Sequence, residues 1–162
     1  MAFDAGVVKV DLASWDARTI GLASSARVQT TSKTIEFKFA SGVGALMSSY
    51  VYAVSRTLGG ASEDVDLAGG LTDVFGATLT FTEVKCFGIH NTGTATLTVG
   101  AASSNAWAGL LNATGTVTLP AGAFMLFGAN DATGFAVVAG TGDLLKVAGT
   151  AGQTYDLIVW GN

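Results

Sequence analysis

Residues 71–91 read LTDVFGATLTFTEVKCFGIHN, and the fold class follows from this stretch. Across residues 78–82, threonines alternate with apolar residues, and this period of two places apolar side chains on one face of a β-sheet and hydroxyls on the other. Residues 83–91 are largely apolar on both faces, which predicts a central strand. A change of register near residues 82 and 83 is typical of a β-bulge. The stretch therefore predicts the longest strand of an antiparallel β domain.

On both sides of this stretch, short apolar alternations are separated by glycine-rich turns. Thr72 and Asp73 begin a single capped turn that ends at Gly76, and residues 89–99 predict a hairpin that turns at 90–93. Further strands are predicted at residues 34–39, 47–55, 63–68, 115–119, 123–128, 135–138, 144–148 and 154–160. This spacing of 8 to 15 residues, with no intervening helix, predicts an all-β fold, an antiparallel β-sandwich that is jelly-roll-like.

Residues 1–32 have the least regular pattern, and we interpret them as an N-terminal arm that precedes a single β-sandwich domain at 33–162. Apolar residues at 7–10 predict a short strand. Ser14 is placed to cap a helix over residues 14–27, although a glycine interrupts the helical pattern. The secondary structure of the arm therefore stays open between these two elements.

Three apolar side chains of the arm, Phe3, Val8 and Trp15, are candidate anchors for a partner. Burying a large apolar side chain stabilises a protein by roughly 1.5–3 kcal/mol, so something is expected to cover them. Two alternatives have equal weight. The arm either packs on its own domain or reaches across to a neighbouring subunit.

Composition and charge narrow the class of partner. Charged residues are only 12% of the chain, against about 25% in typical soluble proteins, which suggests a surface that partners cover. The eight basic residues are scattered, whereas a phosphate backbone attracts clustered cations, so no nucleic-acid partner is expected. The sequence contains no run of 18 apolar residues, so no membrane span is predicted. The first twelve residues lack the pattern of a secretory signal, which predicts synthesis in a cytoplasm.

The residues that carry enzyme chemistry are scarce. The one histidine, His90, lies at a predicted hairpin turn, and the one cysteine, Cys86, lies in an apolar strand where a small buried hydrophobe is expected. Glu63, Asp64 and Asp66 form an acidic group, but their spacing lacks the glycine and terminal glutamate of a calcium loop, which favours a solvated face. We therefore expect no catalytic residue, no metal site and no cofactor, and we do not expect an enzyme.

The second part of the chain has a family resemblance. From about residue 65 onward the chain carries, in order, the segments DLAGGLTDVFGATLTFTEVKCFGIHNTG, TLTVGAASSNAWAGLL, VTLPAGAFMLFGANDATGFAV and GTGDLLKVAGTAGQTYDLIVWGN. This order resembles small virion proteins of tailed bacteriophages, the capsid decoration (cement) and head fibre proteins. The resemblance implies a sandwich or jelly-roll subunit that acts as an oligomer, a homotrimer that binds the major capsid protein on the outside of the phage head. Synthesis would then take place in the host cytoplasm.

Two functions are compatible with these features. The first is a structural role as a decoration protein that ties neighbouring capsid subunits together. The second is a tail or head fibre adhesin, in which an exposed Trp107 and the Tyr50 and Tyr52 pair stack on a host surface glycan. Trp107, on the longer loop at 101–112, is also a candidate partner contact in the first hypothesis.

Overall fold

The computed structural model describes residues 5–18 and 27–162, with side chains described for residues 5–14 and 31–162. The described residues form fourteen β-strands and no helix. The strands are β1 (Ala5–Arg18), β2 (Arg27–Ser41), β3 (Met47–Ser48), β4 (Tyr50–Thr57), β5 (Ser62–Asp66), β6 (Ala68–Thr72), β7 (Thr78–Thr80), β8 (Glu83–Asn91), β9 (Leu97–Gly100), β10 (Thr116–Leu119), β11 (Phe124–Gly128), β12 (Phe135–Ala136), β13 (Leu144–Ala148) and β14 (Thr154–Gly161).

Two antiparallel sheets make up the body of the protein. One sheet has the order β11-β8-β14-β4, with β12 also paired to β8, and the other has the order β10-β9-β13-β5. The consecutive strands β4 and β5, β8 and β9, β10 and β11, and β13 and β14 each lie in opposite sheets. The predicted all-β sandwich is therefore confirmed.

The core lies between these sheets and comes from alternate residues of each strand. Strands β8 and β14 bury Phe87, Ile89, Leu157 and Val159, and the opposite sheet buries Val65, Leu97, Val99 and Val147. Each of these side chains stabilises the fold by roughly 1.5–3 kcal/mol when it leaves water. The period of two in the sequence thus corresponds to one face turned towards the core.

The hairpin predicted at residues 89–99 is wrong. β8 pairs with β11, β12 and β14, whereas β9 pairs with β10 and β13, so the chain crosses from one sheet to the other. The buried Asn91 side chain holds this corner, because its Nδ2 donates to the carbonyls of Ala95, Leu119 and Pro120 at 2.8, 2.9 and 3.0 Å. A side-chain amide thus takes the place of hairpin hydrogen bonds.

The single long strand predicted across residues 78–91 is two strands. β7 pairs with β6 in a small separate sheet, and the chain breaks at residues 81–82 before β8 begins. There the amides of Thr82 and Glu83 donate to the carbonyl of Asn162 at 2.5 and 3.0 Å. The predicted change of register near residues 82 and 83 is at the right position. Its cause is a change of sheet between β7 and β8, whereas a β-bulge was expected.

The N-terminal arm is a long β-hairpin. β1 and β2 pair antiparallel and in continuous register from Ala5 opposite Ala40 to Arg18 opposite Arg27. The predicted helix is wrong where residues 14–18 are strand, and its residues 19–26 lie outside the described part of the chain. Pairing with a β2 strand rich in threonine and phenylalanine overrides the local cap signal of the serine. The predicted domain boundary between 32 and 33 falls inside β2.

Candidate docking surface

The β1–β2 hairpin has one apolar and one charged face. Directly paired residues share a face, so the pairs Val8–Phe37 and Val10–Ile35 lie together on one side of the ribbon. On the other side, Lys9 Nζ lies 2.9 Å from an oxygen of Asp11, and Lys38 pairs with Glu36 at 2.8 Å. These charges neutralise one another in solvent. The hairpin therefore presents an apolar face that needs a partner.

Only the base of the hairpin is seated on the sandwich. Phe39 is buried and packs edge-on against Trp160, with ring centroids 5.6 Å apart. The Phe37 ring covers Gly128, where a Cβ atom would lie 3.2 Å from the ring. Phe39 is the one buried side chain among residues 5–14 and 31–41. Elsewhere on the apolar face Val8, Val10 and Phe37 are half-buried, whereas Leu12 and Ile35 are exposed.

The outward face of the larger sheet is also apolar. Between this face and the hairpin lies a cleft of about 390 Å³ lined by Val8, Val10, Ile35, Phe37, Phe124, Leu126 and Gly128. A second cleft of about 330 Å³ shares Phe124 and Leu126 and continues over Gly88 and Ile158. We call the two together the outer groove. It ends at His90 and Asp156, whose Nδ1 and Oδ2 atoms are 3.6 Å apart.

This arrangement suits protein docking. Contiguous exposed apolar patches of several hundred Å² are rare on soluble monomers and mark interaction sites. Residues 5–18 and 27–162 place no group of three or more His, Cys, Asp or Glu side chains together as a metal site. The groove has apolar walls and a single polar end, which can bind an apolar element but supplies little acid-base chemistry.

The four predicted contact residues have different positions. Phe3 lies outside the described residues. Val8 is half-buried and forms part of the groove wall. Trp15 lies in β1 opposite Thr30, and its side chain is outside the described part. Trp107 does not line the outer groove. Of the four residues, the structure therefore places only Val8 there among those it describes.

The expectation of an exposed Trp107 was wrong. The side chain is only 4% exposed, its Nε1 donates to the carbonyl of Ala136 at 2.8 Å, and its ring lies 5.7 Å from that of Phe87. Of the two tyrosines expected to stack on a glycan, Tyr52 is buried too, whereas Tyr50 is 39% exposed and packs edge-on against Phe81. A tryptophan in a loop of small residues packs inward here because it covers the end of the sandwich. The rings of Trp107 and Tyr52 therefore have no free face on which a sugar could stack.

Sequence reasoning missed several exposed apolar side chains. Phe124 is 68% exposed and Ile158 is exposed on the outer groove, and both lie in predicted strands whose exposed face the sequence did not assign. Val74 and Phe75 are 84% and 69% exposed at the predicted turn, which is confirmed. The Asp73 carboxylate accepts from the amides of Phe75 and Ala77 at 2.9 and 2.8 Å and fixes this turn.

The two reactive residue types have ordinary surroundings. Cys86 is buried, as predicted, and burial raises the pKa of its thiol to about 11, which keeps it protonated and unreactive. His90 lies in β8, one residue before its end, so its predicted place at a hairpin turn was wrong. Its ring is exposed on the sheet face.

A polar network closes the β4–β5 edge of the sandwich. Arg56 pairs with Glu63 at 2.5 Å and donates to the hydroxyl of Tyr52 at 2.7 Å, and Tyr155 donates to Glu63 at 2.6 Å. Burial alone would raise the Glu63 pKa. Hydrogen bonds from Arg56 and Tyr155, with the charge of Arg56, outweigh burial and hold that pKa below its ordinary value. Glu63, one member of the predicted acidic group, is thus held in this network by Arg56 and Tyr155.

We expect Glu63→Gln to lower the free energy of unfolding at pH 7 by about 1.5–3 kcal/mol, because it removes charge-assisted hydrogen bonds. The Glu63 pKa is depressed on folding, so its contribution is present above the unfolded value of about 4.3 and is lost as pH falls through the folded value. Urea unfolding from pH 3 to pH 7 should show the two proteins converging below about pH 4. Asp64→Asn, on an exposed neighbouring carboxylate, is the matched control. A pH-independent difference would contradict the assigned role of the Glu63 charge.

Comparison with known proteins returns no match to a protein-family model, to a curated protein or to a solved structure. Within residues 5–18 and 27–162, no helix is long and apolar enough to cross a membrane. A function is therefore inferred from the geometry of the docking surface and from the family resemblance of the sequence.

Proposed function

We propose that the chain is a structural virion protein of a tailed bacteriophage, a decoration protein that binds the major capsid protein on the outside of the head and stabilises the shell. The observation that carries the proposal is the amphipathic hairpin, whose apolar face continues into the outer groove and is uncovered at Leu12 and Ile35. Such a surface is built for association with another protein. It carries no arrangement of groups that favours catalysis.

Charge and strand order support the same proposal. A chain with 12% charged residues and a net charge of −4 suits large contacts on the outside of a shell, away from the packaged DNA. The four-stranded and the five-stranded sheet, with consecutive strands in opposite sheets, favour assignment of the sandwich to the jelly-roll class. The subunit acts as a homotrimer, is made in the host cytoplasm and is carried on the virion exterior.

Co-sedimentation tests this function. Purified protein is mixed with phage heads that lack it, and binding is measured after centrifugation through a sucrose cushion. We expect saturable binding to heads and no binding to the glycans of an array, because Trp107 and Tyr52 are buried. Glycan binding without head binding would favour the adhesin and contradict the proposal.

A further inference from the structure

We propose that the apolar face of the hairpin of one subunit docks in the outer groove of a second copy of this chain. The inference rests on the proposed function for the role of the resulting oligomer, and its own evidence is the complementarity of two surfaces. We call Leu12, Lys33 and Ile35 the hairpin knob. The acceptor is the part of the outer groove formed by Phe124 and Ile158.

The hairpin knob combines two apolar side chains and a cation. Leu12 pairs directly with Lys33, and Val10 pairs with Ile35, so all four lie on the apolar face of the ribbon. Leu12 is 58% exposed and Ile35 is 45% exposed. The Lys33 side chain is exposed as well. This end of the hairpin is therefore not covered by its own sandwich.

The outer groove has apolar walls and an acidic end, which match the apolar side chains and the lysine of the hairpin knob. Phe124 and Ile158 are its exposed apolar residues, and His90 and Asp156 lie at its end. One oxygen of Asp156 accepts from the Ser55 hydroxyl at 2.5 Å, and the other lies 3.6 Å from His90. The carboxylate is partly exposed and can accept a cation from a partner. An apolar pair followed by a lysine fits an apolar groove that ends in a carboxylate.

Net charge favours a second copy as the occupant. Residues 5–18 and 27–41 contain five basic and three acidic residues, a net charge of +2. Residues 42–162 contain three basic and eight acidic residues, a net charge of −5. The hairpin of one subunit is thus attracted to the body of another at moderate salt.

The area of one hairpin face is that of a small contact, and each subunit makes this contact twice. Strands of 14 residues are about 45 Å long and a two-stranded ribbon is about 10 Å wide, so one hairpin face offers on the order of 450 Å². Each interface then buries on the order of 450 Å² per partner, against about 800 Å² per partner in a standard interface, and a subunit that gives one hairpin and receives another takes part in two such interfaces. The contact joins two different patches, and contacts of this kind form a ring when the rotation between subunits closes, a trimer being one such ring.

Two double variants and their mixture test the inference by sedimentation velocity at micromolar concentration. The hairpin variant carries Leu12→Asp and Lys33→Asp, and the groove variant carries Phe124→Asp and Ile158→Asp. We expect the wild type to form an oligomer and each variant to be a monomer. An equimolar mixture should form heterodimers, because the first variant keeps an intact groove and the second keeps an intact hairpin. Circular dichroism spectra and melting curves confirm that both variants fold.

A matched control places two acids on the charged face of the hairpin. Ala13→Asp with Ser32→Asp alters a directly paired and exposed position, and the oligomer should be unchanged. Charge reversal gives an independent measure: Lys33→Glu and Asp156→Lys should each weaken association at least tenfold, and the combination should restore most of it. A monomeric wild type, an oligomeric hairpin variant or a monomeric mixture would overturn the inference. An oligomer that fails to bind phage heads would instead count against the proposed function alone.

Discussion

Replacing Glu83 with alanine is expected to lower the free energy of unfolding by about 3–5 kcal/mol, because it leaves a buried ammonium group without its carboxylate. The Lys85 side chain is 0% exposed, and its Nζ lies 3.1 Å from Glu83 and 3.0 Å from the carbonyl of Asp131. Glu83 also accepts from the Asn162 side chain at 2.8 Å. Gly134, at a positive φ of 58°, packs on Lys85 and completes its cover. Water cannot solvate the charge that remains.

Two further variants distinguish a buried charge from ordinary packing. Lys85→Met combined with Glu83→Gln removes both charges, keeps an acceptor for Asn162 and should recover most of the loss. Asp131→Asn, on an exposed side chain of the covering loop, should change stability by less than about 0.5 kcal/mol. Urea unfolding followed by circular dichroism measures all three. A Glu83→Ala variant within about 1 kcal/mol of the wild type would contradict the assignment.

Removal of the far half of the hairpin is expected to abolish most binding to phage heads while the sandwich still folds. In the variant, an Asn-Gly turn replaces residues 11–34 and joins Val10 to Ile35, which are directly paired and suit a two-residue turn. The seated contacts of Phe37 and Phe39 are kept. Loss of Leu12 and Lys33 breaks the contact between subunits, and without multivalent attachment the apparent affinity for heads should fall at least tenfold.

The same variant contains its own folding control. Because the hairpin base keeps its packing on Trp160 and Gly128, the cooperativity of unfolding should match that of the full chain. The double variant Ala13→Asp with Ser32→Asp, which changes only the charged face, should bind heads as the wild type does. Undiminished head binding by the shortened protein would exclude the hairpin as a contact and leave the Val74 and Phe75 turn as the main candidate.

Strand positions were predictable from sequence, whereas their partners were not. The alternation at residues 144–148 and 154–160 corresponds closely to β13 and β14, because a period of two records which face of a strand is buried. The same signal at 94–99 located β9 but assigned it to β8. The choice between a hairpin and a crossing depended on the amide of Asn91, a long-range contact that has no local pattern.

The docking surface was only partly predictable for a similar reason. Val8 was identified as an apolar residue in need of a partner, and it lines the groove. Trp107, on the longer loop at 101–112, was expected to be exposed, but its burial depends on Phe87 and Ala136, which are distant along the chain. Phe124 was counted as part of an ordinary strand, since the sequence does not indicate that the outward face of this sheet lacks a cover.

The copy number of the protein in purified particles tests most directly whether it coats the outside of a phage head. Quantitative mass spectrometry, with isotope-labelled peptides of this chain and of the major capsid protein as standards, gives the ratio of the two proteins. A decoration protein is expected at a copy number comparable with that of the major capsid protein. Absence from particles, or the few copies expected of a tail component, would contradict the proposed role.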